Sequence, residues 1–377
     1  WRDDCPPSKA DNVMTMIQRI GILTGGGDCP GLNAAIRGIG KAALFHDTEV
    51  IGICDGYQGL IENRTKKLTV PELSGILTRG GTILGTNNRC SPEKYYLGKD
   101  EAGNAIYENA VERCLATVKE HKLDVLFVIG GDGTFSCTKP LVEAGLPCIG
   151  VPKTIDNDIF GTDLTIGFTT ATRIGTMALD RLHSTGDSHH RVMVCELMGR
   201  NAGWLTLASG LASGSDVILI PEIPFCIDKI SEFVEERRNA HSGFSIIACA
   251  EGAHATDGAP VVSQIIEGSP DPIRLGGIGR QIAFAIEERT GIESRTTTLG
   301  HIQRGGEPSA TDRVLATTFG TAAFELALDG QFNTMIGLVD GHMQAQNILE
   351  AANKQRLVPH DSRFIRAARA MHTCFGD

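Results

Sequence analysis

Two polar stretches of the sequence carry the residue types that phosphoryl transfer needs. Residues 130–134 read Gly-Gly-Asp-Gly-Thr, and residues 152–158 read Pro-Lys-Thr-Ile-Asp-Asn-Asp. Transfer of a phosphoryl group requires a carboxylate that holds Mg²⁺, cations beside the moving group and a base for the proton of the attacking hydroxyl. Asp132 suits the metal, and Lys153 suits the moving phosphoryl group. The two stretches therefore predict one phosphoryl-transfer site.

Asp156 and Asp158 alternate around Asn157 in the second stretch. In an extended loop both carboxylates would point to the same side, so that one is the base and the other orients a cation or the backbone. The same tripeptide is also typical of an Asx turn or a helix cap, and its local sequence leaves both interpretations open. The catalytic interpretation is favoured because both aspartates, with Asp132 and Lys153, follow predicted strands of one sheet.

A glycine-rich turn, Thr-Gly-Gly-Gly-Asp at residues 24–28, lies between the apolar run 20–23 and a helical pattern that begins at Leu32. Backbone N–H groups at such a turn and the following helix N-terminus can bind a phosphate. The turn does not match the dinucleotide-binding pattern, because Pro30 replaces the last glycine, and the Walker pattern is absent from the chain. A tight turn that needs glycine only for its backbone shape stays equally open.

Several cations on polar loops could bind an anionic substrate, because guanidinium groups pair with phosphate in a fork geometry. A surface salt bridge is the commoner role for any one of them. The candidates are Arg89, Arg191, Arg200, Arg295, His301 and Arg304.

Short apolar runs alternate with helical patterns through most of the chain, which predicts parallel α/β sheets whose ligands bind at the carboxyl ends of the strands. Strands are predicted at 20–23, 50–54, 125–129, 147–151, 191–197, 217–220 and 245–250. Polar, glycine-containing residues 99–104 and 254–274 are predicted to be surface excursions. The end of the chain, after the helix 311–328, is predicted to be helical covering.

The length of 377 residues favours two lobes that share a cleft, because single cores stop growing beyond about 250–300 residues. The formal charge is −10, from 45 acidic and 35 basic side chains, and the basic residues form no stripe. We therefore expect neither a nucleic-acid partner nor a membrane partner. Eleven cysteines without a C-x-x-C pair, and no signal-peptide pattern, predict a reducing, cytoplasmic location.

Six ordered blocks, spread over residues 19–338, resemble the phosphofructokinase family. They are residues 23–28, 80–85, 130–134, 152–158, 198–200 and 299–306, the last reading Leu-Gly-His-Ile-Gln-Arg-Gly-Gly. The family transfers phosphate to the 1-hydroxyl of fructose 6-phosphate in glycolysis. The resemblance implies two Rossmann-like, three-layer α/β/α lobes with largely parallel sheets and an active site in the cleft between them. We expect the larger lobe at 16–167 plus about 303–350, the smaller lobe at 168–302 plus about 351–377, and a leader at 1–15.

The resemblance also implies a role for each matching residue. Asp156 would be the general base and Asp132 the residue that positions Mg²⁺. The reacting centre would be completed by Lys153, Thr154, Asp158 and Arg200. The sugar and its 6-phosphate would be held by Arg191, Met198, Gly199, Arg200, Glu251, Arg295, His301 and Arg304. The nucleotide would be held by Gly26, Tyr57, Arg89, Gly131, Asp132, Gly133, Thr134 and Cys137.

The resemblance leaves two possible phosphoryl donors. Family members that use pyrophosphate carry Asp after the Gly-Gly-Asp and Lys at the position of Lys153, whereas the allosteric bacterial ATP enzymes have Gly at that second position. This chain combines Gly133 with Lys153. We predict ATP, because the missing side chain at position 133 leaves room for the α-phosphate.

The same resemblance also implies an oligomer. In the family the equivalents of Arg191 and Arg295 reach the site of a neighbouring subunit, which implies a homodimer or homotetramer.

NAD kinases and lipid kinases share the Gly-Gly-Asp-Gly-Thr stretch but lack the blocks at 152–158 and 299–306. A non-catalytic regulatory subunit would be expected to lose Asp132 or Asp156, and both are present.

Overall fold

The computed structural model of the chain describes residues 17–240, 243–266 and 273–377. The predicted leader at 1–15 and residues 267–272 of the predicted excursion lie outside the described residues.

Sixteen strands and twelve α-helices form in the described parts of the chain. The strands are β1 (Arg19–Thr24), β2 (Glu49–Ile53), β3 (Thr65–Lys67), β4 (Tyr95–Lys99), β5 (Ala105–Glu108), β6 (Val125–Gly130), β7 (Cys148–Thr154), β8 (Ile166–Gly167), β9 (Val192–Leu197), β10 (Val217–Leu219), β11 (Ser245–Ala250), β12 (Val262–Ile265), β13 (Ile273–Leu275), β14 (Ser294–Thr298), β15 (Thr334–Val339) and β16 (His342–Asn347). The helices are α1 (Leu32–Phe45), α2 (Tyr57–Ile61), α3 (Val70–Leu73), α4 (Val111–Glu120), α5 (Asp132–Glu143), α6 (Phe168–His189), α7 (Trp204–Ser213), α8 (Ile227–Asn239), α9 (Ile278–Thr290), α10 (Ala310–Leu328), α11 (Ile348–Asn353) and α12 (Arg363–Ala370). A 3₁₀ helix covers Gly300–Arg304.

The larger sheet has eight strands in the order β16-β15-β7-β6-β1-β2-β3, with β8 beside β7. Its interior pairs are parallel, and only β3 and β16 at the two edges run antiparallel. Strand β6 shows why the sheet is internal: all six of its residues are buried. Val125, Phe127 and Ile129 pack into one core, whereas Leu126 and Val128 pack into another on the opposite face. Helices therefore cover both faces of this sheet.

The smaller sheet has four parallel strands in the order β10-β11-β9-β14. Successive residues of β9 also alternate between two cores, with Val192 and Val194 on one face and Met193 and Cys195 on the other. Two three-layer α/β/α units with largely parallel sheets result, and the predicted fold class is confirmed.

Two surface hairpins interrupt this alternation. Strands β4 and β5 surround the predicted polar turn at 99–104, and β12 pairs with β13 inside the predicted excursion at 254–274. Both hairpins are mostly exposed. Across the described residues, none of the helices combines the length and apolar character needed to cross a bilayer.

The expectation of helical covering after residue 328 is wrong in part. Residues 334–339 form β15, which pairs in parallel with β7, and residues 342–347 form the edge strand β16. Strand β16 reads His-Met-Gln-Ala-Gln-Asn and is nearly all exposed, so no apolar pattern marks it as a strand. Its backbone pairing with β15, rather than burial of its side chains, determines its structure.

The carboxylate of Asp312 joins two helices in the interior. The residue is fully buried in the first turn of α10. Its oxygens accept hydrogen bonds from the backbone N–H groups of Gly167 (3.0 Å) and Thr170 (2.7 Å), and from the Thr170 hydroxyl (2.5 Å). These donors belong to the N-terminus of α6, where free N–H groups favour an anion. Asp312 thus fixes the start of α6 against α10.

We expect Asp312→Ala to lower the free energy of unfolding by about 3 kcal/mol, because three buried donors lose a charged acceptor. Asp312→Asn should cost less, since it keeps one acceptor oxygen. The midpoint of urea denaturation, followed by circular dichroism, measures the change. Asp329→Ala, at the exposed C-terminal end of the same helix, is the control and should stay within about 0.5 kcal/mol. A loss below about 1 kcal/mol for Asp312→Ala would contradict this role.

Candidate active site

The predicted site residues follow the carboxyl ends of parallel strands in both sheets. In the larger sheet, the glycine turn follows β1, Asp132 follows β6, and Asp156 follows β7. In the smaller sheet, Arg200 follows β9 and Glu251 follows β11. This is the edge where open α/β sheets bind their ligands.

Helix α5 begins at Asp132, and the side chain of this residue is held from two sides. Its Oδ1 accepts a hydrogen bond from the backbone N–H of Gly133 (2.7 Å), and its Oδ2 accepts one from Gln355 Nε2 (3.1 Å). The first turn of the helix is partly exposed, and a Cβ atom built on Gly133 would have no other atom within 4 Å. Packing therefore does not require glycine at position 133, and the space in front of it is open.

Tyr57 lies beneath this helix instead of facing the open space. The side chain is buried, and its hydroxyl lies 2.9 Å from the carbonyl oxygen of Thr134 and 2.6 Å from Thr138 Oγ1. These bonds support the helix from its core side. The geometry gives Tyr57 a supporting position beneath α5, and its contact with a nucleotide stays a prediction of the resemblance. Cys137 lies half-buried on the same helix.

The loop that carries Asp156 is not extended, so the extended geometry from which Asp156 and Asp158 were expected to share one side does not occur. Asn157 has a left-handed backbone with φ of 54°. Its side-chain oxygen accepts the N–H of Thr165 (2.9 Å), and its amide donates to the carbonyl oxygen of Asp163 (3.1 Å). Asparagine tolerates this conformation because its short side chain bonds locally. Asn157 is thus the residue that shapes the loop, a role that its sequence neighbours did not indicate.

Three carboxylates and three cations converge around this loop. The Asp156 Oδ1 atom is buried and accepts no hydrogen bond from the described residues. Burial raises the pKa of Asp156; Arg304, Lys153 and Arg200 oppose the shift, and Asp132 adds to it. Burial, with Asp156 and Asp132 adding, raises the pKa of Asp158 to about 8. Desolvation and neighbouring negative charge together make these groups stronger bases than ordinary aspartates.

The Lys153 side chain runs beneath the glycine turn. Only 3% of the residue is exposed, and Nζ donates a hydrogen bond to the carbonyl oxygen of Gly27 (2.5 Å). Burial lowers the pKa of this lysine. Thr154 follows it at the end of β7, and its hydroxyl accepts the N–H of Asp156 (3.2 Å). Lys153 and Asp156 are therefore both held at the end of β7.

Arg304 connects the two sheets at the site. It ends the 3₁₀ helix that follows β14, and its Nη1 donates to the carbonyl oxygen of Asp28 in the glycine turn (3.2 Å). A Cβ atom at position 27 would lie 2.7 Å from the same Nη1, so glycine is needed there for the guanidinium to approach. His301, on the same 3₁₀ helix, is exposed.

The sugar-binding candidates lie on the adjoining loops of the smaller sheet. The Met198 N–H donates to Oε1 of the fully buried Gln303 (2.8 Å), and the Glu251 N–H donates to the carbonyl oxygen of Leu197 (2.8 Å). Burial, followed by the charges of Asp156 and Glu196, raises the pKa of Glu251 to about 7. Gln303 stands inside the 299–306 block, but its residue type alone did not indicate this supporting role.

Arg191 and Arg295 lie near the amino ends of strands β9 and β14, opposite the carboxyl ends that precede Arg200 and Glu251. Arg191 precedes β9, and Arg295 pairs with Met193 near the start of that strand. Both arginines pair with Glu293; Arg191 Nε lies 2.8 Å from Glu293 Oε2. The seven residue-to-residue steps from Arg191 to Met198 span about 23 Å along the strand. The fold does not bring these two arginines to the Asp156 site of the same chain.

Arg89 lies on the exposed loop that follows the glycine-rich block at 80–85. Its N–H donates to Oδ1 of Asn87 (2.7 Å), and the Asn87 amide donates to Gln58 (2.7 Å). The loop itself is tied to the first glycine turn, because the Thr86 hydroxyl donates to the carbonyl oxygen of Gly26 (2.7 Å). Arg89 therefore extends from a loop that is fixed beside the phosphate-binding candidate Gly26.

Comparisons with known proteins agree with this arrangement. The family model described as Phosphofructokinase matches residues 19–327. The chain is 46% identical to "ATP-dependent 6-phosphofructokinase 2" of Clostridium perfringens over 367 residues, which cover 97% of this chain and 100% of that protein. It is 44% identical to "Pyrophosphate--fructose 6-phosphate 1-phosphotransferase" of Amycolatopsis methanolica over 342 residues, which cover 90% of this chain and 96% of that protein.

A solved phosphofructokinase structure from Saccharomyces cerevisiae superposes with a TM-score of 0.74 at 29% sequence identity. The match covers 89% of this chain but only 45% of the yeast chain, so this chain spans less than half the length of that relative. The family model and the near full-length bacterial relatives together identify the chain as a member of the phosphofructokinase family.

Proposed function

We propose that the protein transfers the terminal phosphoryl group of ATP to the 1-hydroxyl of fructose 6-phosphate, giving fructose 1,6-bisphosphate in glycolysis. The observation that carries this proposal is the half-buried Asp156, whose buried Oδ1 has no hydrogen-bond partner among the described residues and whose charge is opposed by cations from both sheets. Relatives that are 43–48% identical over nearly the whole chain are named ATP-dependent 6-phosphofructokinases, which supports the same activity here.

In the proposed mechanism Asp156 is the general base, nearby cations stabilise the moving phosphoryl group, and loops of the smaller sheet hold the sugar. Asp156 accepts the proton of the 1-hydroxyl as the new O–P bond forms, and its raised pKa suits a general base. Lys153 and Arg200 lie close enough to act on its charge, so they also suit the negative charge of the moving phosphoryl group. Thr154 and Asp158 complete the reacting centre. On the sugar side we assign Met198, Gly199, Glu251 and His301, with Arg304 reaching the 6-phosphate.

The nucleotide side of the proposal uses the glycine turn and the start of α5. Gly26, Gly131, Gly133 and Thr134 offer backbone groups at a helix N-terminus, which favours phosphate. Arg89 would steady the transferred phosphoryl group from its loop. The described residues include no cluster of three or more metal-ligating side chains. Mg²⁺ on a nucleotide needs only one or two carboxylates, and the partly exposed Asp132 fits that need; the bound ion would neutralise charge on the donor phosphates.

The choice of ATP over pyrophosphate rests on Gly133. Identity along the whole chain does not decide the donor, because relatives named for each donor are 46% and 44% identical to this protein. The open space at Gly133 is where the family's pyrophosphate enzymes carry an aspartate. Lys153 is compatible with ATP because its ammonium is bound to the Gly27 carbonyl and leaves that space free. Pyrophosphate is the alternative donor, and a non-catalytic regulatory subunit is the minor alternative.

We further propose a homodimer or homotetramer in which Arg191 and Arg295 bind the 6-phosphate in a neighbouring subunit. The support is their position near the amino ends of the strands of the smaller sheet, away from Asp156 of their own chain. The lobe boundaries, 16–167 plus about 303–350 and 168–302 plus about 351–377, are part of the same proposal. A cytoplasmic location follows from the glycolytic role.

We expect Asp156→Asn to lower kcat by about 10²–10⁴-fold, because the amide cannot accept the proton of the 1-hydroxyl. The dissociation constant of fructose 6-phosphate should stay within about threefold, since the amide has nearly the same volume. A coupled assay and calorimetric titration measure the two quantities. Asp163→Asn, an exposed substitution on the same loop, is the matched control. Near wild-type kcat for Asp156→Asn would exclude Asp156 as the base.

We expect Gly133→Asp to lower kcat/KM for ATP at least tenfold, because a carboxylate would stand close to the nucleotide phosphates. Gly133→Ala is the control: its methyl group meets nothing within 4 Å, so most of the activity should remain. The assay varies ATP at saturating fructose 6-phosphate. An aspartate variant with an unchanged kcat/KM for ATP would show that position 133 does not face the nucleotide.

A further inference from the structure

A short segment near the end of the chain, residues 355–358, crosses the site between the two sheets. We name it the strap. It follows α11, a helix that lies against α5: the Ser136 hydroxyl of α5 donates to the carbonyl oxygen of Ala352 (3.1 Å). At its far end the Val358 N–H donates to Glu222 Oε1 (2.9 Å), and Glu222 also accepts the N–H of Gly203, the residue before α7 (3.0 Å). The strap therefore has one end on the nucleotide side and the other on the sugar side.

The middle of the strap is bound to the loop that carries Asp156. Gln355 forms an antiparallel bridge with Ile159, and the Arg356 N–H donates to the carbonyl oxygen of Asp158 (2.8 Å). The Arg356 guanidinium donates to the carbonyl oxygen of Asn157 (3.2 Å). Two consecutive carbonyl groups of the catalytic loop thus have their partners in the strap.

Arg356 is itself held firmly. Its guanidinium carbon lies 4.1 Å from the centre of the Trp204 ring, and the Trp204 indole N–H donates to the Arg356 carbonyl oxygen (2.8 Å). A cation over an aromatic face and a hydrogen bond to the same residue restrict its conformations. The backbone next to Gln355 is therefore fixed at Arg356, and this fixed backbone places the Gln355 side chain near its contact.

That contact is with Asp132. Gln355 Nε2 donates to Asp132 Oδ2 (3.1 Å), while Oδ1 accepts the N–H of Gly133. The two bonds together fix the rotation of the carboxylate, and each oxygen keeps lone pairs for a further partner. Groups that orient a metal-binding side chain in this way change metal affinity without touching the ion.

We propose that the strap is a positioning element of the phosphoryl-transfer site: Gln355 orients Asp132 toward the nucleotide-bound Mg²⁺, and Arg356 anchors the strap to the loop of Asp156. The inference rests on the proposed function, because it assigns Asp132 to the metal. It adds Gln355 and Arg356, which lie outside the six family-like blocks, to the groups on which the reaction depends.

The test is calorimetric titration of the protein with AMP-PNP, a non-hydrolysable ATP analogue, in the presence of Mg²⁺ and in the presence of EDTA. For Gln355→Ala we expect the dissociation constant with Mg²⁺ to rise about three- to tenfold, the range expected for the loss of one ordinary hydrogen bond. The dissociation constant in EDTA should change less than twofold. Gln355 is exposed, so the variant should fold, and its melting temperature should match the wild type.

Leu357→Ala, a 47% exposed residue of the strap, is the matched control and should leave both dissociation constants unchanged. Equal weakening of binding with Mg²⁺ and with EDTA in Gln355→Ala would reduce Gln355 to a structural role and overturn the inference. Unchanged binding in both conditions would overturn it as well. If the wild-type protein binds AMP-PNP in neither condition, the proposed use of ATP fails; failure of the variant alone rejects only the strap.

Discussion

The desolvated carboxylate of Asp156 is the group on which the arrangement of the site depends. A carboxylate whose buried oxygen lacks a hydrogen-bond partner is costly unless cations lie close by. Here the cations come from separate elements: Lys153 from the end of β7, Arg200 from the loop after β9 and Arg304 from the 3₁₀ helix. Their convergence requires the carboxyl edges of the two sheets to face each other. The Arg304 bond to Asp28 is one of the contacts that join these edges.

The sequence predicted the strands that precede Lys153 and Arg200, but not β14 and the 3₁₀ helix that carry Arg304. Apolar runs of strand length followed by polar loops located β1, β6, β9 and β11 within one residue, and β7 except for its last three residues, because a buried parallel strand leaves a clear apolar signature. The six blocks include Asp132 and Asp156, which the fold brings to the same edge of the larger sheet. Strand β16 was missed, because an exposed edge strand has no such signature.

Other features of the site depend on contacts that no local pattern encodes. Asn157 breaks the expected extended loop because its side chain bonds to Thr165, eight residues away. The strap meets Asp132 across 223 residues of chain, and Gln355 lies in a segment without a motif. Tyr57, assigned to the nucleotide by resemblance, is buried beneath α5.

The most direct test of the account is the reaction of the purified protein with fructose 6-phosphate and Mg²⁺, with ATP and pyrophosphate supplied in parallel. Formation of fructose 1,6-bisphosphate can be followed by ³¹P nuclear magnetic resonance, which reports the new 1-phosphate without coupling enzymes. We expect fructose 1,6-bisphosphate and ADP with ATP, and little or no fructose 1,6-bisphosphate with pyrophosphate. Turnover with pyrophosphate alone would contradict the assignment of the donor, and no product with either donor would contradict the proposed reaction.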